Sequence, residues 1–194
     1  GLIGGEPTLH SKFDYLMKKL IKNNKIHGIV IYTNGVLLDK FWDVICHPKT
    51  HLLINCNSPK DMGEEKYGIL IKNLDVLFNQ KMCGDRVTLG INMYNKCFEY
   101  DYMLNLLKTF NQKHVRFSIT VPNIDENRNI DAHSYFNMMK PRMLEFFHEL
   151  LNAGIIPNFD CNKIPSCLMK DKELHEFDKY LSNEYIRSNI DKSN

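Results

Sequence analysis

Short apolar runs alternate with amphipathic segments along the chain, and this alternation constrains the fold more than any other feature. The runs are rich in β-branched and aromatic residues, which predicts strands at 1–3, 29–32, 51–56, 87–93, 115–121 and 155–160. The segments between them carry apolar residues at three- and four-residue spacing, which predicts helices at 13–21, 37–45, 64–80, 102–111, 133–153 and 173–188. Strands that alternate with helices predict an α/β fold with a parallel sheet and right-handed crossovers.

Polar residues within the predicted strands favour one kind of parallel sheet. Thr88, Gly90 and Asn92 alternate with apolar residues in one strand, and Arg116 and Ser118 do so in the next. Strands of an open parallel sheet that is covered on both faces should be apolar on both faces, whereas a barrel can enclose polar side chains. We therefore predict a partial (β/α)6-type barrel with parallel strands. It forms a single domain over 1–194, in which 170–194 are a C-terminal helix and tail.

Composition narrows the functional class. The net charge of +2 gives no sign of a nucleic-acid surface, and no apolar run approaches the roughly 20 residues that a membrane helix needs. We expect neither a nucleic-acid nor a membrane partner. The six cysteines include no Cys-x-x-Cys pair, so free thiols in a reducing compartment are expected. This predicts a cytoplasmic protein.

A glycine-rich turn follows the first predicted strand. Gly4 and Gly5 permit positive φ and let a ligand approach the main chain closely. Pro7 lacks an N–H group and biases Glu6 toward an extended conformation. The expected product is a stiff, exposed rim of amides and carbonyls beside one carboxylate, which suits a ligand that carries an ammonium group. The alternative is a plain strand-to-helix turn that happens to be rich in glycine.

Two motifs carry a family resemblance. The sequence Gly4-Gly5-Glu6-Pro7-Thr8-Leu9 resembles the Gly-Gly-Glu-Pro motif of radical S-adenosylmethionine enzymes, whose barrel is related to the TIM barrel. In that family the motif follows the second strand, and its backbone holds the amino group of the methionine part of the cofactor. Thr33-Asn34-Gly35 is similar to a Thr-Asn-Gly that often ends the third strand of the family. The two motifs occur here in the expected order and spacing.

The resemblance implies cofactor-binding residues at the carboxyl ends of the strands. The motifs assign S-adenosylmethionine to Gly4, Gly5, Glu6, Pro7, Thr33 and Asn34. By position alone, the resemblance adds Asn55, Ser58 and Asn92 for the ribose and carboxylate, and Thr120 for the adenine or the substrate. Asparagine is also common in turns, and Thr120 is equally well the start of a simple loop. No catalytic residue is assigned.

The cysteines depart from the family pattern. The family holds a [4Fe–4S] cluster with a Cys-x-x-x-Cys-x-x-Cys motif after its first strand, and that spacing is absent from these 194 residues. We expect the cluster ligands, together with the first strand, to lie upstream of residue 1. Cys161 and Cys167 follow the last predicted strand and are candidate ligands of an auxiliary cluster. Buried, unligated cysteine is the alternative for this pair.

The resemblance implies an activity for the intact protein. Reduction by the cluster would cleave S-adenosylmethionine to methionine and a 5′-deoxyadenosyl radical, which abstracts hydrogen from an unknown small molecule or peptide. An electron donor such as flavodoxin or ferredoxin would be a partner. The alternative is a catalytically inactive βα-barrel binding or scaffold module that retains the glycine rim. An ordinary barrel hydrolase or isomerase is a third possibility, but the sequence offers no Ser/His/Asp or paired-carboxylate arrangement for it.

The missing cysteine motif leads to a first prediction. Incubation of the 194-residue chain with iron, sulfide, dithionite and S-adenosylmethionine should produce no 5′-deoxyadenosine above background, because the three expected iron ligands are absent. Chromatography of the quenched mixture measures the product. Enzymatic turnover by this chain would refute the expectation.

Overall fold

A computed structural model describes residues 1–81, 83–120, 131–159, 164–165, 172–173 and 190–191. Its helices are α1 (Phe13–Lys22), α2 (Trp42–Ile45), α3 (Pro59–Met62), α4 (Glu64–Asp75), α5 (Asp101–Thr109) and α6 (Ala132–Asn152). Its strands are β1 (Ile29–Thr33), β2 (Thr50–Asn55), β3 (Val87–Met93), β4 (His114–Ile119), β5 (Ile156–Phe159), β6 (Ile164–Pro165) and β7 (Ile190–Asp191). Single turns of 3-10 helix lie at Pro7–Leu9, Leu38–Phe41 and Gly84–Arg86, and a π-helical turn at Val76–Gln80 continues α4.

Five strands form a parallel sheet in the order β1-β2-β3-β4-β5, and β6 pairs with β7 in a separate two-stranded sheet. The α/β prediction is therefore confirmed. The predicted first strand is reduced to one parallel bridge between Leu2 and Ile31. In that bridge the Leu2 amide donates to the Val30 carbonyl, and the Tyr32 amide donates to the Leu2 carbonyl.

The chain divides into two compact units, which are Gly1–Gly90 with Asn105–Asn111, and Ile91–Leu104 with Gln112–Asn194. In the first unit, Thr33 of β1 is in register with Ile54 of β2, and Asn55 of β2 is in register with Gly90 of β3. The core of this unit is aliphatic around the strands and includes Met17, Ile31, Leu38, Ile54, Leu70, Leu74 and Leu77. The carboxyl ends of β1 and β2 therefore lie side by side above one core.

An aromatic cluster forms the core of the second unit. The rings of Phe98 and Phe146 lie 5.7 Å apart, and those of Phe117 and Phe147 lie 5.0 Å apart. The guanidinium of Arg142 lies 4.3 Å from the centre of the Tyr100 ring, and its Nε donates to the Phe98 carbonyl. Helix α6 is continuous through Pro141.

Several predicted boundaries differ from the structure. The predicted helix at 37–45 is a 3-10 turn followed by the four-residue α2. Helix α1 begins at Phe13 without a side-chain cap, and the Lys12 amide before it donates to Nδ1 of His10. The predicted helix at 173–188 lies almost entirely outside the described residues. None of the helices in the described ranges is long and apolar enough to cross a bilayer.

Two glycines of the first unit provide a matched test of the fold. Gly35, at the end of β1, has φ +77°, and a Cβ there would lie 2.6 Å from Leu70 Cδ1 and 2.9 Å from Ile54 Cγ2. Gly35→Ala should lower the free energy of unfolding by about 2–4 kcal/mol, because it adds overpacking to a left-handed backbone. Urea denaturation measures the change.

Gly68 is the control, because it lies inside α4 and a Cβ there meets nothing within 4 Å. Gly68→Ala should raise the free energy of unfolding by about 0.5–1 kcal/mol through helix propensity. Equal effects of the two substitutions would contradict the tight packing around Gly35.

Candidate functional site

The glycine-rich turn and the end of β1 are joined by the carboxylate of Glu6. Its Oε1 accepts hydrogen bonds from the Thr8 hydroxyl at 2.6 Å, the Thr33 hydroxyl at 2.8 Å and the Thr8 amide at 3.2 Å. Its Oε2 accepts from the Asn34 amide at 2.7 Å. The two motifs of the sequence are thus parts of one hydrogen-bonded unit, although they are separated by α1.

Local sequence explains why Glu6 takes this position. Glu6 is extended and caps the 3-10 turn that begins at Pro7, so its side chain folds back onto the Thr8 amide. Thr8 and Thr33 are 3% and 4% exposed, so their hydroxyls need a partner within the protein. A carboxylate between two buried hydroxyls and two amides supplies that partner, and charge-assisted hydrogen bonds are the stronger kind.

The end of β1 is held from its other side by Asn73 of α4. Its Nδ2 donates to the Gly35 carbonyl at 2.8 Å and to the Val36 carbonyl at 3.1 Å. Asn73 is 4% exposed. The site prediction did not include Asn73 or Thr8. A signal for Asn73 was present in the sequence, because it interrupts the apolar face of α4 between Leu70 and Leu77.

Gly4 and Gly5 leave their backbone open. Their φ angles are +110° and +54°, and a Cβ at either position would meet nothing within 4 Å. No described residue pairs with their amides or carbonyls. They line an open pocket of ≈ 510 Å³ whose other walls include Leu2, Ile3, Glu6, Pro7, Leu9, His10, Phe13 and Leu16. The turn therefore presents backbone donors and acceptors that no described residue engages, next to an apolar surface.

Asn55 and Ser58, at and after the end of β2, differ in how their polar groups are used. Asn55 Nδ2 donates to Asn57 Oδ1 at 3.3 Å, whereas its buried Oδ1 has no hydrogen-bond donor among the described residues. Ser58 caps α3, since its Oγ accepts from the Asp61 amide and donates to the Asp61 carboxylate. Asn55 thus has an acceptor that no described residue uses, while the Ser58 hydroxyl is engaged in a helix cap.

The remaining predicted site residues fall in the second unit or outside the described residues. Asn92 and Thr120 belong to the second unit. There the Ser118 hydroxyl donates to Asn92 Oδ1, and the amide and hydroxyl of Thr120 both donate to the Met93 carbonyl. Cys161 and Cys167 lie outside the described residues. Among the residues that the structure does describe, no three His, Cys, Asp or Glu side chains are grouped to hold a metal ion.

Family models, curated proteins and solved structures were compared with the chain, and none gives a significant match.

The Glu6 carboxylate yields a stability prediction. Thr33→Val keeps the shape of the side chain but removes the hydroxyl that donates to Glu6 and accepts from the Gly35 amide. Because a hydrogen bond to a charged group is lost inside the fold, the free energy of unfolding should fall by about 1–3 kcal/mol. Glu6→Gln should cost a similar amount, and the double variant should cost less than the sum, because both changes remove the same contact.

Thr88→Val is the matched control, because Thr88 is an exposed threonine of β3. Its effect should stay within about 0.5 kcal/mol. Denaturation curves of the two single variants, the double variant and Thr88→Val give the four changes in the free energy of unfolding. Strict additivity of Thr33→Val and Glu6→Gln would show that the two side chains are not coupled.

Proposed function

We propose that this chain is the core of a radical S-adenosylmethionine enzyme and that the glycine turn binds the methionine part of the cofactor. The observation that carries the proposal is the bonding of Glu6 to Thr33 and Asn34. It joins the two motifs that resemble this family at the carboxyl ends of neighbouring parallel segments. Ligands of parallel βα folds characteristically bind at that end of the strands.

The order of the strands supports a barrel-like arrangement for this core. Each strand of the sheet neighbours the strands that precede and follow it in sequence, from β1 to β5. Doubly wound sheets contain a reversal of strand order, at which their ligands bind. An order without reversal is the one that a (β/α) barrel, complete or partial, requires. We therefore infer a partial (β/α)6-type barrel.

The residues present fit the proposed cofactor. An ammonium group needs acceptors, and the carbonyls of Gly4 and Gly5 have no other partner among the described residues. A carboxylate needs donors, and the amides of the same glycines, which no described residue engages, would supply them. The apolar wall formed by Leu2, Leu9 and Phe13 suits the aliphatic chain of methionine. The unused Oδ1 of Asn55 is a further acceptor, suited to a hydroxyl donor such as a ribose.

In this proposal, residues of the chain fix the conformation of the glycine turn and thereby orient the ligand. Glu6, Thr8 and Thr33 fix the turn before a ligand arrives, so less conformational entropy is lost on binding. When bound, S-adenosylmethionine together with a [4Fe–4S] cluster supplies the radical chemistry that abstracts a hydrogen atom from a substrate. Asn92 and Thr120 are proposed to contact the cofactor or the substrate, which is a small molecule or a peptide.

The proposal also names the partners that this chemistry needs. The Cys-x-x-x-Cys-x-x-Cys motif for the main cluster is absent from these 194 residues, and Cys161 with Cys167 is the candidate pair for an auxiliary cluster. A flavodoxin or ferredoxin is the expected electron donor. The reducing cytoplasm is the expected compartment, because thiols and iron–sulfur clusters persist there.

Substitution of Gly5 tests the proposed binding site. Gly5→Ala adds a methyl group at the backbone that is proposed to contact the ligand. Binding of S-adenosylmethionine should weaken at least about tenfold, which corresponds to about 1.4 kcal/mol. Isothermal titration calorimetry on the 194-residue chain and the variant gives both dissociation constants.

Gly154→Ala is the matched control. Gly154 also has a positive φ, of +69°, and also has no atom within 4 Å of a Cβ, but it follows α6 in the second unit. The control should bind like the original chain. Equal affinities for Gly5→Ala and Gly154→Ala, or no binding heat with the original chain, would contradict the proposal and favour a scaffold module.

A further inference from the structure

Two thiols from different connections of the first unit lie side by side. Cys46 follows α2 and precedes β2, whereas Cys83 precedes the 3-10 turn at Gly84–Arg86 that leads into β3. Their sulfur atoms are 3.4 Å apart, although the residues are separated by 37 positions in the chain. A disulfide bond is about 2.0 Å long, so the sulfurs need to approach by only about 1.4 Å.

Arg86 holds both cysteine backbones in place. Its guanidinium donates to the Cys46 carbonyl at 3.2 Å and also to the carbonyl of His47. Its own amide donates to the Cys83 carbonyl at 3.1 Å. The side chain of Arg86 is only 19% exposed, so these bonds are largely shielded from water. One residue therefore ties the two connections together and fixes the thiols at contact distance.

The two thiols differ in access. Cys83 is 3% exposed, and its Sγ also lies 3.7 Å from the Leu77 carbonyl oxygen. Cys46 is partly exposed. A reagent in solution therefore meets Cys46 first, and Cys83 is positioned to attack whatever Cys46 has bound. This is the arrangement of an attacking and a resolving cysteine.

We propose that Cys46 and Cys83 are a thiol–disulfide exchange site for low-molecular-weight disulfides of the glutathione class. The Cys46 thiolate attacks one sulfur of glutathione disulfide and forms a mixed disulfide, with release of one glutathione thiolate. The Cys83 thiolate then attacks Cys46 Sγ, which forms the Cys46–Cys83 disulfide and releases the second glutathione. Two protein thiols are oxidised, one glutathione disulfide is reduced to two glutathiones, and two protons pass to the solvent or to the released thiolates.

The rate of this exchange depends on the surroundings of Cys46. Burial, reinforced by the neighbouring Cys83, raises the pKa of the Cys46 thiol to about 12, whereas the charges of Lys81 and Arg86 act to lower it. At neutral pH the thiolate fraction is small, so exchange is slow and accelerates as the pH rises. The site thus responds to sustained rather than brief oxidising conditions.

The thiols lie at the amino ends of β2 and β3, whereas Thr33 and Asn55 lie at the carboxyl ends of β1 and β2. Formation of the disulfide therefore does not cover the glycine turn. Its expected effect is on the stability of the fold. It closes a loop of 37 residues that contains β2, α3 and α4. Loop closure of this length should raise the midpoint of thermal unfolding by about 5–10 °C.

A redox titration of the full chain tests the proposal. The protein is equilibrated at pH 8 with glutathione buffers of increasing oxidation, quenched with acid, alkylated and digested with trypsin. Mass spectrometry should find a peptide linked through Cys46 and Cys83. Half of the pair should be oxidised at a ratio of squared glutathione concentration to glutathione disulfide concentration that is at least about tenfold higher in native buffer than in 8 M urea, because the fold holds the two thiols together.

Three variants sharpen the experiment. Cys97→Ser removes an exposed thiol and should leave the linked peptide and its titration unchanged. Arg86→Gln keeps both thiols but removes the charged tie, and should require a buffer at least about threefold more oxidising. Asp85→Asn is its control, because Asp85 is the exposed neighbour of Arg86 and should titrate like the original chain.

Two results would overturn the proposal. One is the absence of the Cys46–Cys83 peptide in the most oxidising buffer. The other is an identical midpoint in native buffer and in urea, which would mean that the fold does not favour the pair. Neither result depends on whether a variant folds, because both are measured on the original chain.

Discussion

The bonding of Glu6 to Thr33 and Asn34 is the interaction on which the carboxyl edge of the first unit depends. Two adjacent glycines with positive φ have many accessible conformations and no side chains to select one. The four hydrogen bonds to the Glu6 carboxylate make that selection, because they bind the turn to the end of a strand that is itself fixed by the sheet. The turn is therefore rigid because it is hydrogen-bonded to β1.

The end of β1 is in turn fixed by packing against helix α4. Gly35 lies so close to Leu70 and Ile54 that a Cβ there would require one of these side chains to shift, and Nδ2 of Asn73, in the same helix as Leu70, donates to the Gly35 carbonyl. Gly5 has the opposite surroundings, since the space around its Cα is open. Glycine thus has a different role in each of the two linked turns. One glycine allows close packing inside the protein, and the other leaves its backbone accessible to solvent and to ligands.

The sequence predicted elements better than it predicted their partners. Strands such as 87–93 were predicted within a residue or two, because β-branched runs and helical periodicity are local signals. The 3-10 turn at Leu38–Phe41 and the π-helical turn at Val76–Gln80 were missed, because they result from packing of the segment rather than from its period. Glu6, Thr33 and Asn34 were all assigned to the site, but their mutual bonding was not foreseen. The approach of Cys46 to Cys83 was also not foreseen, since it depends on the register of β2 and β3.

The hydrogen bonds that the Glu6 carboxylate already accepts limit its ability to contact a ligand directly. Both carboxylate oxygens already accept hydrogen bonds from the protein, and three of the four donors are groups of Thr8 and Thr33 that are buried or partly buried. A ligand that drew the carboxylate away would leave those donors unpaired, at a cost comparable to the bond it gained. In the proposed binding mode, the glycine carbonyls would contact a cation directly, and the carboxylate would contribute through its electric field and through the conformation it imposes on the turn. A backbone site of the proposed kind would depend on the conformation of the turn more than on the identity of any exposed side chain.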